Sequence, residues 1–162
     1  MLKERSSGIL LHPTSLPGKF GIGTLGKAAF EFIDFLAKAR QQYWQILPLG
    51  PTGYADSPYQ CFSSHAGNPN LIDLELLVKA RLLHAEDLDG FPHFSDDRVE
   101  YEGVQQTRLP LLRKAYQNFM LNADNLEKMA YRNFLKDQSK WINDYALFRA
   151  IKANRDQKPW YQ

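Results

Sequence analysis

Apolar residues near the start of the chain form two short runs with a helical pattern between them. Residues 8–12 are apolar and are stopped by Pro13, which is typical of a strand. Residues 25–41 repeat apolar positions at helical spacing, with Thr24 as the predicted N-cap. Residues 43–49 form the second run. This order predicts a parallel βαβ unit, and the near-continuous apolar strands predict a sheet buried on both faces.

The second half of the chain has only helical patterns. Helices are predicted over residues 71–83, about 104–121 and about 125–154, the last with a break near Ser139. No further strand is indicated. Because the sequence carries no second sheet pattern, the fold class predicted is α/β with an added helical region.

Two parallel strands do not make a stable sheet by themselves, and both would have unpaired edges. The pattern therefore predicts that this chain is part of a larger protein. We divide it into residues 1–70, a first βαβ part, and residues 71–162, a mainly helical subdomain.

Composition excludes several classes of function. The chain is 44% hydrophobic and 23% charged, a soluble globular mixture. Its formal net charge of +2 comes from scattered residues, so no nucleic acid partner is predicted. The charged start predicts neither a signal peptide nor a membrane span. Cys61 is the single cysteine, which fits a reducing, cytoplasmic location.

The loop after the second strand, GPTGYADSPYQ at residues 50–60, is the strongest candidate site. In α/β folds ligands lie beyond the carboxyl ends of the strands. Asp56, Ser57, Tyr59 and Gln60 offer several hydrogen-bonding groups and an aromatic face, which suit a polyhydroxylated ligand. In the alternative, a tight turn, Asp56 caps the backbone and Tyr59 packs on the core. Local chemistry alone favours the turn.

Catalytic and metal sites are weakly indicated. Asp56 could act as a catalytic carboxylate, but glycoside chemistry needs two facing acids and the other loop offers none. Cys61 and His65 are four residues apart but do not lie in a firm helical pattern, so a nucleophile pair is disfavoured. The four histidines show no metal-binding spacing, and no metal is predicted.

Four segments together resemble the amylomaltases, the 4-α-glucanotransferases of glycoside hydrolase family 77. The match runs collinearly from residue 8 to residue 75, and the segments that carry it are GILLHPTSLPG, GIGTLG, YWQILPLGPTGYADSPYQ and AGNPNLIDLE. The resemblance implies a (β/α)8 TIM barrel with inserted helical subdomains, of which this chain would hold strands 1 and 2. It also implies that residues 71–162 are an inserted subdomain and that the barrel in this chain is incomplete.

The resemblance further implies a reaction. Family members transfer α-1,4-glucan segments between maltooligosaccharides by a retaining double displacement, without a cofactor or metal. Their catalytic carboxylates lie on later strands, so no catalytic residue is expected in this chain. The remainder of the polypeptide would be needed to complete the barrel, and the chain alone should be inactive. The alternative is a noncatalytic glucan-binding or interaction module.

Site residues follow from the same resemblance. Tyr59 matches a tyrosine that lines the cleft near the nucleophile, and Ser57 matches a serine that contacts sugar. Asp56 and Gln60 are expected to order the loop and to be able to touch sugar.

Other positions of the chain correspond to a secondary glucan-binding groove. Tyr54 matches an aromatic residue linked to that groove, and Tyr101 corresponds more loosely to a second one. Ala55 stands where many members have glycine, which puts the local loop geometry in doubt.

Overall fold

The computed structural model of the protein describes residues 5–158, without the side chain of Tyr54. Within these residues the chain forms one small sheet and a series of α-helices, joined by turns and short 3-10 segments. None of these helices combines the length and the apolar character that crossing a membrane requires. In chain order the elements are β1 (Gly8–Leu10), α1 (Lys27–Lys38), β2 (Tyr43–Gln45), α2 (Leu74–Lys79), α3 (Tyr101–Asn122), α4 (Asn125–Asp137) and α5 (Ile142–Asn154).

The predicted parallel βαβ unit is confirmed. Strands β1 and β2 pair in parallel, with Ile9 opposite Trp44. Beyond the strands, the Leu11 N–H donates to the Gln45 carbonyl over 3.0 Å, and Trp44 Nε1 donates to the Leu11 carbonyl over 2.7 Å. The strands are nevertheless shorter than the apolar runs that predicted them.

The prediction of a sheet buried on both faces was wrong. Each strand is exposed at both of its end residues, and Leu10 and Tyr43 keep 56% and 47% of their surface in water. Helix α1 packs on the sheet through Phe32, whose ring lies 5.0 Å from that of Trp44. A sheet of two strands has too few neighbours to be enclosed on both faces.

Helix α1 begins later than predicted, and Thr24 is not its N-cap. Gly26 is the N-cap and makes no side-chain capping bond. Thr24 instead donates from Oγ1 to Oδ2 of Asp73, over 2.6 Å. A Cβ on Gly26 would collide with the Asp73 carboxylate, so glycine allows this close approach. The contact with Asp73 redirects Thr24 away from capping.

The helical second half follows the predicted pattern with two adjustments. The helix predicted over residues 71–83 is reduced to α2. It begins after Asp73, which caps it by accepting the Leu76 N–H over 2.9 Å, and it ends at Lys79, shortly before Arg81 with φ = 59°. Helix α3 starts three residues before the predicted position. The predicted break near Ser139 is confirmed, since α4 ends at Asp137 and α5 begins at Ile142.

The main apolar core lies between the loop before α1 and helices α2 and α3. Its fully buried members come from well-separated parts of the chain: Phe20, Leu74, Leu83 and Ala115. Phe20 makes an edge-to-face contact with Phe91, with ring centroids 4.9 Å apart. The N-terminal part and the helices therefore share one core.

Arg108 of α3 is a buried cation that contacts the segment before α2. It is 1% exposed, and its Nη2 donates to the carbonyls of Asn70 and Ile72. Burial lowers the pKa of its guanidinium to about 10, an effect that the nearby Asp73 carboxylate opposes. The two hydrogen bonds tie α3 to the segment before α2.

Candidate functional site

The loop that follows β2 folds back on itself and is closed at its base. Thr52 and Cys61 form an isolated antiparallel bridge, and the Phe62 N–H donates to the Pro51 carbonyl over 3.1 Å. A Cβ on Gly53 would lie 2.7 Å from the Gln60 carbonyl, so only glycine lets the two limbs approach this closely. The loop is thus held closed at its base by hydrogen bonds, and it lies at the carboxyl end of a strand.

The apex of this loop has an unusual backbone. Ala55 has φ = 53° and Asp56 has φ = 52°, both in the left-handed region. Aspartate is enriched in this conformation, whereas for alanine the conformation has a steric cost, because the Cβ comes close to the following carbonyl oxygen. Ala55, which stands where many members of the resembled family have glycine, thus takes a backbone conformation that glycine adopts at lower cost.

Asp56 is engaged with neighbouring side chains. Its Oδ1 accepts hydrogen bonds from Thr52 Oγ1, over 3.3 Å, and from Gln105 Nε2, over 3.1 Å. The first donor lies at the base of the loop and the second on helix α3. This geometry fits the loop-ordering role expected of Asp56, and its contact with sugar stays a prediction.

Ser57, Tyr59 and Gln60 lie together on the descending limb. Ser57 accepts the Tyr59 N–H at its Oγ, over 3.3 Å, and the Gln60 N–H at its carbonyl, over 3.1 Å. The Tyr59 side chain is 72% exposed. The alternative in which Tyr59 packs on the core is therefore wrong, and its ring is available to a ligand.

A cleft of about 570 Å³ opens beside Tyr59. It lies between the end of the second apolar run, the descending limb of the loop and the segment that follows. Its lining residues are Pro48, Leu49, Gly50, Pro58, Tyr59, Cys61, Ser64, His65, Ala66 and Gly67. An aromatic ring at the mouth of a cleft is a suitable surface for the C–H face of a sugar.

His12, from the loop after β1, supports one edge of this cleft. Its Nε2 lies 3.4 Å from the Pro48 carbonyl, and its Nδ1 lies 2.6 Å from Thr14 Oγ1. A proton on Nε2 lets the ring donate to Pro48 and accept from Thr14, so this tautomer satisfies both contacts. The loops after the two strands are thereby joined.

Cys61 and His65 both line the cleft but are directed to other partners. Cys61 Sγ donates to the Pro58 carbonyl over 2.9 Å. The His65 ring stacks on Trp141, with centroids 5.5 Å apart. Neither arrangement activates a thiolate. In the described part of the chain, no three or more His, Cys, Asp or Glu residues are grouped as a metal site.

Comparison with known proteins assigns the family. The family model described as 4-alpha-glucanotransferase, glycoside hydrolase family 77, matches residues 11–162. The chain belongs to this family. The resemblance predicted from the sequence is confirmed.

Individual 4-alpha-glucanotransferases match the chain over almost all of its length. The protein from Synechocystis sp. is 48% identical over 162 residues, covering 100% of this chain and 32% of that protein. The protein from Thermus thermophilus is 46% identical over 156 residues, covering 96% and 30%. This chain thus spans about a third of the length of the curated relatives it matches.

A solved structure of a family member agrees with the fold. The amylomaltase from Streptococcus agalactiae in complex with acarbose superposes with a TM-score of 0.88 at 42% identity. The match covers 96% of this chain and 31% of that chain. The arrangement of strands and helices described above is therefore the arrangement found in an amylomaltase.

Two aromatic residues, Tyr54 and Tyr101, are expected at a secondary groove. The side chain of Tyr54 lies outside the described structure. Tyr101 is the first residue of α3 and is half-buried. It lies one turn before Gln105, which contacts the loop apex through Asp56. The start of α3 is therefore adjacent to the loop that carries Tyr54.

Sequence reasoning missed two features of this family member. Gln105 reaches the loop apex, but a single glutamine in a helical pattern carries no signal of such a contact. The other is a cavity of about 260 Å³ lined by Phe62, Ser63, Trp141, Asp144, Tyr145 and Phe148. Burial raises the pKa of Tyr145 there, against a smaller opposing effect of Arg149.

Proposed function

We propose that this chain forms the first part of a 4-α-glucanotransferase that transfers α-1,4-glucan segments between maltooligosaccharides. The observation that carries the proposal is 48% identity along the whole chain to a protein of that activity. The superposition on an amylomaltase supports it. We also propose a cytoplasmic location, since a single cysteine fits a reducing compartment.

In this proposal β1 and β2 are strands 1 and 2 of a (β/α)8 barrel. Residues 1–70 are its first βαβ part, and residues 71–162 are an inserted helical subdomain that shares the core around Phe20. The exposed faces of the two strands support this assignment, because a third strand and further helices would cover them.

The chain contributes a cleft wall and no catalytic carboxylate. Tyr59 offers its exposed ring and hydroxyl to a glucosyl unit, and Ser57 offers a hydroxyl beside it. In this proposal Asp56 and Gln60 order this wall and also contact sugar. The carboxylates that form and break the glycosyl intermediate come from the remainder of the polypeptide.

Tyr54 and Tyr101 form part of a secondary groove for glucan in this proposal. The start of α3 lies beside the loop apex, which supports placing the two residues on one surface. A polymer held at two places on the enzyme gains affinity without a tighter contact at either one.

A segment exchange tests the function. This chain would replace the equivalent segment of the Streptococcus agalactiae amylomaltase, and the chimera would be incubated with maltotriose. We expect glucose together with glucans longer than maltotriose. Release of free glucose without any glucan longer than maltotriose would indicate hydrolysis and reject the proposed transfer. The unexchanged amylomaltase serves as the positive control, and the chain of 162 residues alone should be inactive.

A noncatalytic glucan-binding module is the second candidate. The exposed Tyr59 ring beside a cleft of about 570 Å³ favours it. Calorimetric titration of the chain with maltooligosaccharides distinguishes the binding module from the transferase. Tight binding by the chain alone would favour the module, whereas the transferase proposal expects weak binding because most of the cleft is contributed by later segments.

A further inference from the structure

We propose that Gln105 is a positioning residue for the glucan cleft, acting through Asp56 on the loop segment 57–60. The inference rests on the proposed function, since it concerns the wall that the proposal assigns to glucan. It begins from a hydrogen bond of 3.1 Å between Gln105 Nε2 and Asp56 Oδ1, which joins residues 49 positions apart in the chain.

The loop apex needs such an external support. Two consecutive non-glycine residues, Ala55 and Asp56, have positive φ angles. A residue in this region persists there only when its surroundings hold it. The Asp56 N–H donates within the loop to the Gly53 carbonyl over 3.3 Å, and its side chain is held by the two donors on its Oδ1, Thr52 and Gln105. Thr52 belongs to the loop itself, so Gln105 is the donor that fixes the apex relative to the rest of the molecule.

The effect of Asp56 reaches the cleft through the backbone. Ser57 follows it directly and accepts both the Tyr59 N–H and the Gln60 N–H. Movement of Asp56 therefore shifts Ser57, which accepts the backbone hydrogen bonds of Tyr59 and Gln60. Tyr59 is the exposed aromatic residue at the cleft mouth, and its ring position changes with that backbone.

Helix α3 provides a rigid base for Gln105. Its neighbour Val104 is 0% exposed, and Arg108, almost one turn later, is 1% exposed. These buried side chains hold the helix surface in place while Gln105 projects to the loop. Gln106 is the same residue type one position later, but it donates to Glu102 Oε1 over 3.1 Å and not to the loop. It is therefore a matched control.

The first experiment measures hydrogen exchange at the amides of Tyr59 and Gln60 in the chimera with the Streptococcus agalactiae amylomaltase. Gln105→Leu removes the donor at similar volume, and we expect exchange at these amides to be faster by about fivefold. Gln106→Leu should leave them unchanged. In an Asp56→Ala background, which removes the acceptor, Gln105→Leu should add much less, because the two residues act as a pair. Equal exchange in the Gln105→Leu and Gln106→Leu variants would overturn the proposal.

The second experiment measures transfer from maltotriose in the chimera with the Streptococcus agalactiae amylomaltase. Gln105→Leu should lower kcat/KM by about fivefold, mainly through KM, because a displaced wall binds glucan less well. Gln105→Lys keeps a hydrogen-bond donor for Asp56, so its kcat/KM should be close to that of the unmutated chimera. Unchanged kinetics in Gln105→Leu would overturn the positioning role even if exchange were faster.

The two proposals can fail separately. An unmutated chimera without transfer activity would count against the proposed function. The exchange comparison between Gln105→Leu and Gln106→Leu would then decide by itself whether Gln105 positions the loop.

Discussion

Ala55 is held in a backbone conformation that glycine adopts at lower cost. Its φ of 53° lies in the left-handed region, where a Cβ is sterically crowded. The residue is at the apex of the loop that carries Ser57 and Tyr59. The residue is exposed, so no packing of its methyl group offsets that cost. The loop therefore contains local strain, which the hydrogen bonds of Asp56 help to maintain.

Replacement of this alanine tests the strain. Ala55→Gly relieves about 1 kcal/mol of steric cost and loses a similar or smaller amount to chain entropy, so stability should be unchanged or slightly higher. Ala39→Gly is the control, because Ala39 has φ = −78°, so glycine relieves no steric cost there and only the loss from chain entropy remains. Urea unfolding should place Ala55→Gly above Ala39→Gly. The reverse order would contradict the strained conformation.

Tyr59 carries the prediction that bears most directly on the reaction. Tyr59→Phe in the chimera removes one hydroxyl from a side chain that is 72% exposed, so folding should be intact. Transfer from maltotriose should fall by about tenfold, the worth of one hydrogen bond to a bound sugar. Initial rates and a thermal melt measure the two effects. Unchanged kinetics would remove Tyr59 from the site.

At the scale of elements, one carboxylate joins three segments. Asp73 accepts from Thr24 before α1 and caps α2 through the Leu76 N–H. It also lies close enough to Arg108 of α3 to oppose the lowering of that residue's pKa. The contact between the βαβ unit and the helices therefore depends on polar groups as well as on the apolar core.

Thr24→Val tests this junction. It keeps the shape of the side chain and removes a buried donor to Asp73, so we expect a loss of about 1–2 kcal/mol in the free energy of unfolding. Thr107→Val is the control. The Thr107 hydroxyl donates to the Gly103 carbonyl within α3, an interaction that contributes little to helix stability. Equal losses in the two variants would argue against a special role for Asp73.

A second contact between elements should depend on pH. The ammonium group of Lys114, on α3, lies 2.5 Å from the Asp87 carboxylate. The hydrogen bond from Lys114 is the main cause that lowers the pKa of Asp87 below 3.8, and the hydrogen bond from the His84 N–H is the second. Because the folded pKa is depressed, the pair stabilises the protein above pH 3.8 and loses this contribution as the pH falls through the folded pKa.

The urea midpoints at about pH 6 and about pH 3 measure this effect. Lys114→Met should reduce the difference between the two midpoints. Lys27→Met removes a more exposed pair with Glu31, 3.4 Å apart, and should leave the difference as in the unmutated chain. An equal difference in all three proteins would show that the Asp87 contact makes no contribution.

At the scale of the whole molecule, the sheet and α1 leave large apolar side chains in water. They lie on the strands, just after β2 and on the outer side of the helix: Leu10, Tyr43, Ile46, Phe30, Ile33 and Phe35. Exposed apolar surface of this extent usually marks an interface. The chain spans about a third of its relatives' length, so later segments of such an enzyme are the expected cover.

The chain alone should consequently be poorly stable or self-associate. Sedimentation velocity should show a species larger than 18.7 kDa whose fraction rises with concentration. A double replacement, Phe30→Ser with Phe35→Ser, should lower that fraction. Leu121→Ser, at a site on α3 that is 76% exposed, should not. A cooperative melt of a monomer at every concentration would contradict this prediction.

The sequence by itself determined the elements whose causes are local. Apolar periodicity and prolines predict the βαβ unit, and the weakened pattern near Ser139 predicts the break between α4 and α5. Turn chemistry places the candidate loop after the second strand. The collinear motifs from residue 8 to residue 75 were sufficient to identify the family, which the match over residues 11–162 confirms.

Only the tertiary structure decided which side chains are partners. Thr24 binds Asp73 and Gln105 binds Asp56, each across 49 positions, and Arg108 reaches Asn70 across 38. A helical or strand period contains no information about such pairs, because packing of whole elements sets them. The exposure of the sheet has the same origin: apolar strands predict burial, but burial requires neighbours, and the described residues contain two strands and one covering helix.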